Sequence, residues 1–431
     1  MTTHDPSASG ADGEPAFTAV SAIYDGAGLD DPHSLYARLR ATSPVMEGDI
    51  LARYGVPSQA DYANRGRKVF TLFRNADITE VLRNDRLWTT ELLTDGLGSF
   101  FGDMFLSGRS GAAHRSLRNL LQPCFAPAVL KRWQDTLITP LTENVFGSAL
   151  RQKRHAELVS ELFLPFPIRT IYAILGFADD PESVEYFADL ALRVLAGPQV
   201  DPAKAELTMA RAFEASHKLH DFIVAVVADR RAAGADGEDM ISRLIRAEFE
   251  GRALSDDEIG DIVRMLLPAA AESTTRTMSN LLVHLFANPD VLARLRADRS
   301  LLPKVLKESM RLEPVAAFLA RQAAEDTDIG GVAIPAGAAV SIVIASALRD
   351  ETLFEHPNDF DIDRPSIPTL GFGYGAHMCL GMPVAKLEID AAMNLLLDLP
   401  NLRLDPVHSA PVVRGMQFRG PEVVHVVWDE P

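Results

Sequence analysis

Apolar residues in the middle of this chain recur every three or four positions, most clearly between residues 255 and 288. Leu254-Ser255-Asp256-Asp257-Glu258 opens the run, with Ser255 placed to cap a helix and Glu258 at the reciprocal position of a capping box. Ile259, Ile262, Val263, Leu266 and Leu267, then Met278, Leu281, Leu282 and Leu285, keep helical spacing, and Asn288-Pro289 closes it. Such a helix is on the order of 45 Å long, enough to cross a whole domain, so it is expected to pass through the core. Its one interruption is Pro268-Ala269-Ala270-Ala271-Glu272-Ser273-Thr274. Pro268 has no N–H to give the carbonyl of Arg264, which predicts a bend or a widened turn. Three alanines leave room against the helix, and a carboxylate and two hydroxyls follow. On this segment alone, a small-residue packing crossover with Glu272 facing solvent stands level with a functional reading.

The same periodicity predicts a short helix from Pro303 to Leu312, where Glu308 and Arg311 lie three residues apart on one face. Taken alone they are a surface ion pair of small value. Val384, Leu387, Ala391 and Leu395 mark another helix, with Pro383 in its first turn, where a missing N–H costs nothing. β-Branched residues punctuated by Gly330-Gly331 and Pro335-Ala336-Gly337 predict a hairpin and its continuation over 328–344, and a last strand is expected at Val423 to Trp428. No alternating βα pattern or repeat appears. The expected class is mainly α with small β-sheets (α+β), in one domain over 18–431. Residues 1–17 mix Pro, Gly, Ser and Asp with almost no apolar content and read as a disordered tail.

Composition narrows the functions. With 47% hydrophobic residues the chain is globular, and neither a secretory signal nor a clean apolar span is evident, so a soluble cytoplasmic protein is expected. A formal charge of -17 argues against nucleic acid, whose binding needs a basic footprint. Cys124 and Cys379 are too few and too isolated for a disulfide framework or a zinc site. Cys124 has no glycine loop around it and reads as a packing residue.

Cys379 stands differently. Phe372-Gly373-Tyr374-Gly375-Ala376-His377-Met378-Cys379-Leu380-Gly381 places it just before the helix that carries Pro383, where the dipole and free N–H groups favour a thiolate. The glycines let the backbone turn sharply and approach a flat ligand, and Phe372 can shield the sulfur from water. A phosphate loop fails, because Gly371-x-Gly373-x-Gly375 lacks the dinucleotide spacing and follows no strand. A buried apolar cysteine and a nucleophilic cysteine remain open on local grounds.

All ten positions from Phe372 to Gly381 match the haem-binding signature of the cytochrome P450 family, which this chain resembles from residue 114 to its end. Glu308-Ser309-Met310-Arg311 looks like the family's E-x-x-R helix, and Phe360-Asp361-Ile362-Asp363-Arg364 resembles the segment whose arginine completes that ion-pair triad. Ala269 to Thr274 is similar to the oxygen-binding stretch of the long central helix. His114-x-x-x-Arg118 and Arg321 match the positions that grip the haem propionates.

The resemblance implies the P450 fold, a triangular prism with the long helix over the haem, and haem b (iron protoporphyrin IX) with Cys379 as axial ligand. His114, Arg118, Arg321, His377, Phe372 and Gly373 would hold and pack the haem; Glu272, Ser273 and Thr274 would serve oxygen activation; Glu308, Arg311 and Arg364 would form a buried structural network. The chain departs from the pattern at Ser273, where the family's usual threonine is missing: the hydroxyl is kept without the β-branch that restricts it, so either Ser273 serves or Thr274 takes a share. The implied activity is hydroxylation of an apolar small molecule with O2. Electrons would come from an iron–sulfur ferredoxin with its NAD(P)H-dependent reductase, to a monomer that binds neither nucleic acid nor membrane. Met104 to Gln134 contains no acid but holds Arg109, Arg115, Arg118, Lys131 and Arg132, a basic patch suited to an acidic donor. Pocket walls are expected at Phe100, Phe101, Leu267, Ala270, Val315, Phe318, Gln417 and Phe418, within a loop from Gly96 to Phe105 and neighbouring segments. A haem-thiolate peroxygenase and a non-catalytic P450-like haem protein are the rival readings, and Glu272 counts against both.

Overall fold

The computed structural model describes residues 15–430 except 27, 28, 30, 63–65, 178, 179 and 366. The expected helix is present as Asp256–Ala287, with Ser255 and Glu258 closing the capping box in both directions and Asn288 at its end. It stays α-helical through Pro268, without the widened turn expected there. Twenty of its residues are buried, because helices Pro165–Leu175, Pro181–Leu195, Pro202–Ala232, Leu302–Leu312 and Met382–Leu397 all pack against it. This wrapping explains an apolar pattern too broad for a surface helix.

The strands are short and lie to the sides of the helical mass. The largest sheet orders Val45–Glu47, Val69–Leu72, Ala339–Val343, Phe318–Ala323 and Trp88–Thr89, with Ala339–Val343 parallel to Val69–Leu72 and antiparallel to Phe318–Ala323. The hairpin read around Gly330-Gly331 is Thr327–Ile329 against Val332–Ile334. The last strand is His425–Val427, between Arg403–Leu404 and His155–Glu157. The architecture is thus mainly helical with small sheets. Most of the stretch read as a tail, 1–14, lies outside the described residues, but Ala16 and Phe17 do not belong to it: both are buried in the helix Ala16–Tyr24, which packs on the core.

Candidate active site

Hydrogen bonds draw the cysteine loop tight. Cys379 N–H donates to Phe372 O at 2.9 Å, Met378 N–H to Gly375 O at 3.1 Å and Gly373 N–H to Leu370 O at 2.8 Å. Gly373 and Gly375 have φ of +75° and +73°, and a Cβ on Gly375 would collide with the carbonyl of Leu82. Burial raises the Cys379 thiol above its ordinary pKa, outweighing the N–H groups of Gly381 and Met382 and the charge of Arg118, which lower it. Burial and the helix terminus thus pull the thiol in opposite directions, and a cation bound at the sulfur would favour the thiolate. The residue is solvent-accessible, whereas Cys124 is a buried packing residue. Phe372 is half-buried, with Lys386 Nζ 5.7 Å from its ring centroid.

Beside this loop stand four basic side chains. His114 and His377 lie with ring centroids 4.0 Å apart, and Nδ1 and Nε2 of His114 and Nε2 of His377 are buried without a hydrogen-bond partner. Burial, then the charges of Arg321, His114 and Arg118, push the His377 pKa down to about 3; burial, opposed by the charge of Asp85, lowers that of Arg321 to about 10. Arg321 donates only to the carbonyl of Ala320 at 2.8 Å, and Arg118 has no hydrogen bond or ion pair among the described residues. Asp85 is the one acid whose charge is felt by His114 and Arg321. So many buried donors with so little to receive them describe a site for an anion, and a dicarboxylate such as the two haem propionates fits it.

The central helix shows its accessible side in one stripe. Leu266, Ala270 and Ser273 are half-buried and Ala269 is exposed, all at helical spacing, along a stretch from Ile262 to Leu282 that is otherwise buried. The small residues Ala269, Ala270 and Ser273 leave room beside the helix for a flat group. Ser273 Oγ donates to Ala269 O at 3.0 Å and lies on the stripe; Thr274 is buried off it. Glu272 is buried too, not solvent-facing: its Oε1 accepts from Arg276 Nε at 2.5 Å and its Oε2 has no partner. Burial raises the carboxyl pKa and Arg276 opposes the rise. Ser273 therefore lies on the accessible side of the helix and Glu272 on a buried one. Arg276, one turn on, was legible as an i,i+4 partner but carries no motif, and was missed.

Of the expected pocket walls, Ala270 and Phe418 are half-buried, while Phe100, Phe101, Leu267, Val315, Phe318 and Gln417 are buried. Phe100 packs on Phe213 with centroids 4.6 Å apart. The amide of Gln417 is consumed by Phe318, accepting its N–H at 2.9 Å and donating to its carbonyl at 3.1 Å. The loop 96–105 is tied down by charges that the sequence did not flag: Arg264 donates to Asp261 at 2.7 Å and to Ser216 Oγ at 3.1 Å, and Ser216 donates to Phe100 O.

The Glu308 network is complete. Arg311 clamps both oxygens of Glu308 at 2.8 Å, and Arg364 Nε adds a third contact at 3.3 Å. The basic patch, in contrast, is acid-free in sequence but not in space. Arg132 pairs with Glu238 at 2.8 Å, Lys131 with Asp135 at 2.5 Å and Arg115 with Asp85 at 4.0 Å, while Arg118 belongs to the basic cluster. Most of the patch is thereby neutralised by residues outside the span.

The family model for cytochrome P450 matches residues 198–413. The chain is 31% identical to cyclomarin C epoxidase CymV of Salinispora arenicola over 77% of this chain and 83% of that protein. It is 30% identical to cytochrome P450 monooxygenase PikC of Streptomyces venezuelae over 90% of each. Among solved structures, CYP109E1 of Bacillus megaterium in complex with testosterone superposes with a TM-score of 0.78 at 25% identity, over 93% of this chain and 99% of that one.

Proposed function

Since the chain belongs to the cytochrome P450 family and is a monooxygenase, we propose that it binds haem b through Cys379 and hydroxylates an apolar small molecule. The observation that carries the proposal is the cluster of His114, Arg118, Arg321 and His377, four basic groups with almost no acid among them, next to an accessible cysteine. When bound, the haem supplies the iron at which O2 is activated and from which one oxygen atom is transferred. The protein's own part is to hold, shield and deliver protons. His114, Arg118, Arg321 and His377 bind the propionates, and the N–H groups of Gly381 and Met382 accommodate charge on the sulfur. Ser273 would be the hydroxyl that serves the reacting oxygen, because it and not Thr274 lies on the accessible stripe, and the neighbouring Glu272 carboxylate would take up and pass on the protons.

The apolar character of the expected pocket walls supports an apolar substrate. A relative named for cyclomarin C and a solved structure in complex with testosterone favour a bulky one. Electrons come from an iron–sulfur ferredoxin and its reductase, to a cytoplasmic monomer; no helix among the described residues is long and apolar enough to cross a membrane.

The reduced carbon-monoxide spectrum tests the ligand. Wild-type holoprotein should absorb at the red-shifted thiolate position and Cys379→His should not; a globin-like spectrum in fresh wild-type protein sinks the assignment. A panel of steroids, macrolides, cyclic peptides and fatty acids, read by the change of the haem spectrum, then finds the substrate class.

A further inference from the structure

The pair formed by Glu272 and Arg276 is one of the most buried in the molecule, with side chains 1% and 2% exposed. A buried ion pair is poor value as a packing device, since apolar side chains of the same volume serve as well or better. This pair is also left incomplete, because Glu272 Oε2 has no partner. Yet the far side of Arg276 is built with care. Its Nη2 donates to Ser21 Oγ at 2.8 Å, and Ser21 Oγ is turned toward it by giving its own proton to Phe17 O at 3.1 Å. The guanidinium carbon lies 4.5 Å from the ring centroid of Phe17. On another side, a Cβ at Gly420 would come within 3.0 Å of the Arg276 side chain, so a glycine there makes its room. Two separate segments thus converge on one arginine whose only acidic contact among the described residues is Glu272.

We propose that the amino-terminal helix Ala16–Tyr24 belongs to the oxygen-activation apparatus: through Ser21 and Phe17 it fixes Arg276, and Arg276 positions Glu272 as a carboxylate with Oε1 held and Oε2 free for a proton. The inference rests on the reading of Glu272 as the acid. Ser21, Phe17 and Arg276 are positioning residues, since none is placed on the accessible stripe. The other titratable group facing Glu272 is Tyr24, from the same amino-terminal helix, whose hydroxyl is engaged with Leu195 O at 3.4 Å.

Infrared spectra of the holoprotein at neutral pH report the carboxylate directly. Arg276→Met should gain a protonated-carboxyl band that is missing from wild type and from the double variant Arg276→Met/Glu272→Gln, and Arg276→Lys should suppress it. Consumption of NAD(P)H in air, driven by a plant-type ferredoxin and its reductase as surrogate donors, gives the second readout. Glu272→Gln should slow it by about a hundredfold, Arg276→Met by about tenfold and Ser21→Ala by a few-fold, each with a larger H2O/D2O rate ratio than wild type. Absence of the band in Arg276→Met, or wild-type rates and isotope effects in Arg276→Met and Ser21→Ala while Glu272→Gln is slow, overturns the positioning role. If Glu272→Gln is itself as fast as wild type, the reading of Glu272 as the acid falls and the role falls with it.

Discussion

Arg311 and Arg321 are both buried arginines from the same region of the chain, and they live in opposite circumstances. Each guanidinium has five N–H donors. Arg311 places all five: two on Glu308 at 2.8 Å, and the others on the carbonyls of Leu348, Pro357 and Asp359 at 3.0, 2.7 and 2.9 Å. Arg321 places one, on Ala320 O, and burial pulls its pKa down instead. The first arginine is a finished piece of architecture that holds the segment 355–364 in place. The second is preorganised for something the polypeptide does not contain. Burial and charge alone do not separate structural from functional ions; the count of satisfied donors does.

The sharpest way to break this contrast is to remove one partner from each site. Glu308→Gln leaves two arginines buried with one neutral acceptor between them, and should cost about 3–5 kcal/mol of unfolding free energy in chemical denaturation, in haem-free and haem-loaded protein alike. Arg321→Met removes a buried charge that lacks a carboxylate partner, so the haem-free protein should lose little or even gain stability. The haem-loaded protein should lose about 1.5–3 kcal/mol of haem affinity, seen as faster transfer of haem to an acceptor protein. Equal losses in both forms for Arg321→Met would erase the distinction.

A pH experiment sharpens the comparison from the side of the finished network. His284, on the central helix, shares a hydrogen bond with Ser309 Oγ at 2.9 Å and stacks on Phe360, 5.2 Å between centroids. Burial depresses its pKa from 6.5 to about 4; the charges of Glu313 and Glu308 resist and those of Arg349 and Arg311 assist. The unfolded chain therefore takes up a proton as pH falls through about 6.5 while the folded chain refuses it until about 4, so stability is full above that window and declines within it. The decline should reach on the order of 3 kcal/mol at its acid end. His284→Gln should flatten the slope of stability between about pH 6.5 and 5; an unchanged slope would show that His284 is free to charge in the fold.

What could be read from the sequence follows the range of the forces involved. The central helix, its caps and its closing Asn288-Pro289 were legible because spacing and capping are local. The hairpin at Gly330-Gly331 was legible because φ of +55° and +80° there calls for glycine. Cys379, the triad and the basic cluster were legible through the resemblance to a family, since spacing alone left a packing cysteine and a surface ion pair as open alternatives. The long-range charge partners were not legible at all. Ser21 reaches Arg276 across 255 positions and Glu238 reaches Arg132 across 106, and no period or motif encodes such pairs. The widened turn at Pro268 was lost for a related reason: the helices packed around the buried sides of the helix hold it in the α form despite the missing N–H.

The smallest effect belongs to the surface, where the same rule of satisfied and spare donors should decide which arginine a redox partner can use. Arg132 is committed: Nη1 donates to Glu238 Oε2 at 2.8 Å and Nη2 to the Glu238 carbonyl at 3.0 Å. Arg115 is 62% exposed and only 4.0 Å from Asp85, at the outer limit of an ion pair. Long-range steering responds to net charge, so Arg115→Gln and Arg132→Gln should lower the association rate of an acidic ferredoxin slightly and equally, with a loss that fades as the screening length shrinks to about 8 Å at 0.15 M salt. The docked complex should tell them apart. Arg115 has donors to offer a partner's carboxylate, and its loss should weaken binding by about 0.2–1 kcal/mol, the range of an exposed pair. Arg132 would have to abandon Glu238 first, so its loss should leave the affinity unchanged once salt has screened the steering term. Titration of the ferredoxin onto the holoprotein in moderate salt reads both, and a larger loss for Arg132→Gln than for Arg115→Gln would mean that the partner pulls Arg132 from its acid and that donor counts do not govern this face.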